Sequence, residues 1–185
     1  MNYTLLIVPG LGDSSIGHWQ NHWLEHFSNA QKVTQKDWNQ PMLADWLLNL
    51  DSTIQQIDGP IILVAHSLAT VLVAHWSQTH YTNSVVGALL VAPADVDSHT
   101  HTPVETWNFA PIPVTKLNFP SVVVTSADDP YIDLSRAQFL AEKWNSKFHN
   151  VGNKGHLNAA SQLELWQEGQ TLLNELLQEI KANKY

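Results

Sequence analysis

The stretch Ile61-Ile62-Leu63-Val64-Ala65-His66-Ser67-Leu68-Ala69-Thr70 decides how the chain is read. Its first four residues leave no polar face, so they suit a strand covered on both sides, as in a parallel sheet between layers of helices. A pentapeptide with small outer residues, Ala65 to Ala69, then encloses a serine, and Thr70 to His80 is compatible with a helix. A serine at a sharp turn between a buried strand and a helix presents its oxygen above the sheet edge, where the helix also aims its first free N–H groups. Ser67 is therefore the candidate nucleophile.

Five more runs read as strands: Thr4 to Val8, Lys32 to Gln35, Val85 to Val91, Ser121 to Ser126 and Lys147 to Val151. Lys32 to Gln35 is polar and suits a sheet edge. Helix-compatible segments fall between them at Trp19 to Ser28, Leu43 to Ile57, Ser135 to Asn145 and about Ser161 to Ala182. In the last of these, Leu165, Leu172, Leu173, Leu176, Leu177 and Ile180 form one apolar stripe that packs on a sheet. Alternating strands and helices imply an α/β fold. The expected architecture is a three-layer α/β/α sandwich of about six mostly parallel strands in the order 2-1-3-4-5-6, with no lid domain. A single domain is expected over residues 1–185. Pro93 to Pro120 holds five of the nine prolines and reads as an ordered surface loop, in which Thr106 to Pro113 either overhangs a binding site or is an irregular crossover with no ligand role.

In such a sheet the residues that follow each strand gather at one edge, where sites form. Ser67 follows the third strand, Asp129 the fifth and His156 the sixth. The order Ser, Asp, His is that of an α/β-hydrolase triad. In this chemistry His156 takes the Ser67 proton, while Asp129 fixes the imidazole tautomer and stabilises the imidazolium. Asp128 is the rival acid. The spacing of Asp129-Pro130-Tyr131-Ile132, with an apolar anchor soon after the acid, favours Asp129 and leaves Asp128 to cap the turn. His66 reads as a packing or hydrogen-bonding neighbour rather than a base.

An oxyanion needs donors already in place. The Leu68 N–H at the helix start is one candidate. The strand order brings the loop after the first strand, Pro9-Gly10-Leu11-Gly12, beside the serine, and makes the Leu11 N–H the second. Gly10 and Gly12 are turn glycines that also border the substrate, and Trp107 is the tryptophan expected to contact it. Ala65 and Ala69 stand where glycine is usual, adding a methyl on each side of the turn.

Composition narrows the alternatives. Lys and Arg number 9 against 17 Asp and Glu, a formal charge of −8, which argues against a nucleic-acid surface. With no cysteine, thiolate metal sites and a cysteine nucleophile are excluded. No basic leader with an apolar core precedes the first strand and no run spans a bilayer, so a cytoplasmic protein without membrane contact is expected. Gly10, Gly12 and Gly17 imitate a dinucleotide fingerprint, but the third glycine is misplaced. His18, His22 and His26 recur every four residues without a carboxylate in a ligand pattern, so no metal is expected. The oligomeric state is not legible.

At these residues the chain resembles the retinoblastoma-binding-protein-nine and YdeN-like family, small lidless serine hydrolases of the α/β-hydrolase superfamily. The likeness runs through Val8-Pro9-Gly10, His18-Trp19-Gln20, Trp23, Asp37-Trp38, Val64 to Leu68, Ala92 to Val96, Phe109 to Pro113, Ser126 to Tyr131 and Gly155 to Ala159. The resemblance implies a Ser67-Asp129-His156 hydrolase with no metal or organic cofactor, of esterase type, acting on a small ester or amide. The alternative is a protein that keeps the fold, has lost the chemistry and serves as an interaction module.

Overall fold

The computed structural model describes residues 3–80 and 82–182. Six strands, β1 (Thr4–Val8), β2 (Ala30–Lys32), β3 (Ile61–His66), β4 (Val85–Val91), β5 (Ser121–Thr125) and β6 (Lys147–Asn150), alternate with five helices. These are α1 (Trp19–His26), α2 (Leu43–Gln55), α3 (Leu68–Thr79), α4 (Leu134–Trp144) and α5 (Gln167–Ala182). The strands pair in parallel in the order β2-β1-β3-β4-β5-β6, as the continuous apolar runs predict.

Alternate residues of the central strands feed two cores. Leu6, Val8, Leu63 and Ala65 face α2, α3 and α4, whereas Leu5, Ile7, Ile62 and Val64 face α1 and the leucine stripe of α5. Every residue of β3 is buried, which explains why it carries no polar alternation. Pairing of Val8 with Ala65 and of His66 with Val91 aligns the strand ends at the edge where Ser67 emerges.

Several boundaries differ from the sequence reading, and for three of them the structure gives the reason. The polar edge strand lies at Ala30–Lys32 rather than Lys32 to Gln35, because a strand without an apolar face does not fix its own register. Helix α3 begins at Leu68, since the backbone reverses within Ser67 alone at φ 58°. Helix α5 begins only at Gln167: a 3-10 turn occupies Ala159–Ser161, and Gln162, Glu164 and Trp166 have positive φ.

The segment between β4 and β5 is anchored. It holds a 3-10 helix at Val104–Phe109 and buries Phe109, Ile112, Leu117 and Phe119 in the core. Arg136 of α4 pairs with Asp95 and Asp97, and the Trp144 Nε1–H donates to Pro113 O.

Candidate active site

Ser67 has φ 58° and ψ −125°, and its N–H donates to Val91 O at 2.9 Å, so the turn is fixed by the neighbouring strand. Its Oγ lies 2.8 Å from His156 Nε2. On the far side of the imidazole, Nδ1 is 2.9 Å from each carboxylate oxygen of Asp129. Asp129 only accepts, so Nδ1 carries the proton and Nε2 is free to accept from the serine hydroxyl. The Asp129 side chain is fully buried and His156 nearly so, and Tyr131 N–H donates to Asp129 Oδ1 at 2.9 Å. Three side chains distant in sequence thus form one hydrogen-bonded line.

Asp128 points elsewhere. It accepts from Ser126 Oγ and from Gly155 N–H, joining the loop after β5 to the loop after β6, and these bonds hold its carboxyl below the usual range.

The two loops expected to supply oxyanion donors meet. A Cβ added to Gly10 would lie 2.8 Å from His66 O, 2.9 Å from Ser67 Cβ and 3.3 Å from Leu68 N. Gly10 is therefore required for space, whereas Gly12 adopts φ 75° and is required for its backbone conformation. The Gly12 N–H donates to Trp38 O at 2.7 Å, which leaves the N–H groups of Leu11 and Leu68 without a hydrogen bond among the described residues. The methyls of Ala65 and Ala69 are buried in the core.

A cavity of about 450 Å³ opens over Ser67, with Leu11, Gly12, Leu68, Thr102, Thr106 and Tyr131 among its walls. Gly10 and Trp107, both expected to border substrate, do not line it. Gly10 packs against the serine turn. The Trp107 indole N–H donates to Thr102 O at 3.1 Å and its ring stacks on His99, so other residues of that turn face the cavity instead. Tyr131, whose ring lies 4.4 Å from that of His156, falls within the Ser126 to Tyr131 motif but was given no part in the site, and Thr106 opens the segment read as overhanging it, whereas Thr102 was not singled out. No periodicity or motif marks Thr102, because only the tertiary fold carries it to the serine.

Helix α1 braces this edge from beneath. Gln20 is wholly buried, its side-chain amide donates to Val8 O and Val64 O at the ends of β1 and β3, and its Oε1 accepts from Ser14 Oγ. The Trp19 Nε1–H donates to Leu157 O at 2.8 Å, and Trp19 packs on Trp23 and Trp166. His18 caps the helix, accepting from Gln20 N–H through Nδ1, and so does not share a ligating face with His22. Burial, reinforced by His156, lowers its pKa to about 4. Among the described residues no group of three His, Cys, Asp or Glu is placed to hold a metal ion.

Residues 5–175 match the family model described as serine hydrolase. The chain belongs to the serine hydrolase family. It is similar to a putative YdeN-like hydrolase of Pectobacterium atrosepticum, at 31% identity and TM-score 0.86 over 97% of this chain and 92% of that one. The ydeN gene product of B. subtilis is 19% identical with TM-score 0.76, over 96% of this chain and 100% of that chain. Mouse alpha/beta hydrolase domain-containing protein 10 is 17% identical with TM-score 0.67, over 94% and 90% respectively. The last two share the fold. The resemblance to small YdeN-like hydrolases read from the sequence is thereby borne out, as is the α/β-hydrolase architecture of this serine hydrolase. No curated protein matches the chain.

Proposed function

We propose that the protein hydrolyses a small carboxylic ester or amide through an acyl-enzyme on Ser67. The observation that carries this reading is the line from Ser67 Oγ through His156 to Asp129, with both links at 2.8–2.9 Å. Ser67 Oγ attacks the carbonyl carbon while its proton passes to His156 Nε2. The developing oxyanion is met by the Leu11 and Leu68 N–H groups. As the bond to the alcohol or amine breaks, His156 returns the proton to the leaving group. Water then attacks the acyl carbon, gives a proton to His156, and Ser67 leaves with that proton as the acid is released. Asp129 stabilises the imidazolium at each stage. No step in this scheme draws on a cofactor.

Labelling by a fluorophosphonate probe and turnover of p-nitrophenyl acetate test the proposal. Wild type is expected to react with both, and Ser67→Ala and His156→Ala to lose turnover by about a thousand-fold or more while remaining folded by circular dichroism. Full ester turnover by Ser67→Ala contradicts it. A folded wild type that neither labels nor turns over points to an interaction module instead.

A further inference from the structure

His66 precedes the proposed nucleophile, is buried, and takes no part in the proton transfers above. Its ring lies 4.9 Å from the His156 ring, and its Nε2 is 2.9 Å from the His156 main-chain oxygen. A carbonyl only accepts, so Nε2 must carry the proton. Burial holds this imidazole neutral, with its pKa well below the ordinary histidine range. The next carbonyl, Leu157 O, is held by the Trp19 Nε1–H at 2.8 Å. Two successive carbonyls of the segment that carries the base are thus gripped by buried ring N–H groups, one from the end of β3 and one from α1. The segment has reason to relax without them: Gly155 and Leu157, on either side of His156, have φ of 59° and 49°, and the latter is a region that L-residues avoid.

We propose that His66 is a positioning residue for the base, its Nε2–H fixing the His156 backbone and so the reach of the His156 ring to Ser67. The inference rests on the reading of Ser67 and His156 as nucleophile and base. Its importance is greatest midway through turnover. Once Ser67 Oγ is esterified it has no proton to donate, and the direct bond to His156 is lost just when that imidazole must activate water. The link from residue 66 to residue 156 bypasses both reacting side chains and persists through the acyl-enzyme, so its loss slows deacylation.

His66→Gln and His66→Asn separate this role from simple packing, because the glutamine amide reaches the Nε2 position and the asparagine amide falls short. With p-nitrophenyl acetate, His66→Asn is expected to lose about ten-fold or more in kcat without a rise in KM, and to retain an initial burst of nitrophenol. His66→Gln is expected to recover most of the loss. Side-chain ¹⁵N NMR of the wild type, which needs no variant to fold, is expected to show His66 protonated at Nε2. Equal behaviour of the two variants, or protonation at Nδ1, overturns the inference alone if wild type labels at Ser67. A wild type that neither labels nor turns over overturns the functional reading with it.

Discussion

Ser67 and His18 show what single positions contribute. A non-glycine residue at φ 58° costs about 1–3 kcal/mol, and here it is held by the bond to Val91 O and by the Thr70 hydroxyl donating to Ser67 O at 2.8 Å. His18 stores a different kind of tension. Its neighbours His156 and His22 oppose its protonation, Asp13 favours it, and burial dominates, so the folded imidazole stays neutral down to about 4. The unfolded chain takes up a proton from about pH 6.5 downward and the folded chain does not. Stability is therefore complete above that pH and falls as pH drops, by about 3 kcal/mol at pH 4 from this residue alone. His66 acts in the same direction. Urea midpoints at pH 7 and 4.5 measure the slope, and His18→Asn, which keeps a capping acceptor, is expected to flatten it. Ser67, Asp129 and His156 were legible as candidates because each lies in the turn or loop that follows a strand. His18 had no such mark, since it reaches the cavity wall by capping a helix.

At the level of elements, one glycine of α5 makes room for the tryptophan ring that packs on α1. A Cβ on Gly169 would stand 2.1 Å from a ring carbon of Trp166, whose ring lies 4.9 Å from Trp19 and 6.2 Å from Trp23. Glycine to alanine within a helix ordinarily gains about 1 kcal/mol. Here Gly169→Ala is expected to destabilise instead, by about 1–3 kcal/mol, because the overlap is with a buried ring rather than a flexible end. Since Trp19 also holds Leu157 O, ester turnover is expected to fall together with the thermal midpoint. Calorimetry and a p-nitrophenyl acetate assay on the same preparation check both. The buried strands could be read closely because Ile, Leu and Val without interruption fit few other structures. Strand β2 could not, having only Ala30, Gln31 and Lys32 to pair with β1. The delayed start of α5 was hidden too, because Leu165 continues the apolar stripe although it lies before the helix.

For the whole molecule, the strand order reverses between β1 and β3, and the cavity over Ser67 opens at that switch point, between the loops that follow both strands. The topology was legible from the sequence, whereas part of the cavity wall was not, because Thr102 and Pro103 arrive from the irregular chain before the 3-10 helix at Val104–Phe109. The proline-rich segment is rooted in the core by Phe109, Ile112, Leu117 and Phe119, which leaves no hinged cover over the serine among the described residues. Rates on tributyrin are accordingly expected to rise smoothly through the solubility limit of the substrate, and an abrupt jump at that limit would refute an uncovered site. Among the described residues no helix is long and apolar enough to cross a membrane. The outermost strands carry a last consequence. With three residues on one margin and an exposed, lysine-bearing β6 on the other, the sheet offers a neighbouring molecule no long greasy border to zip onto, which guards crowded copies against fibril growth.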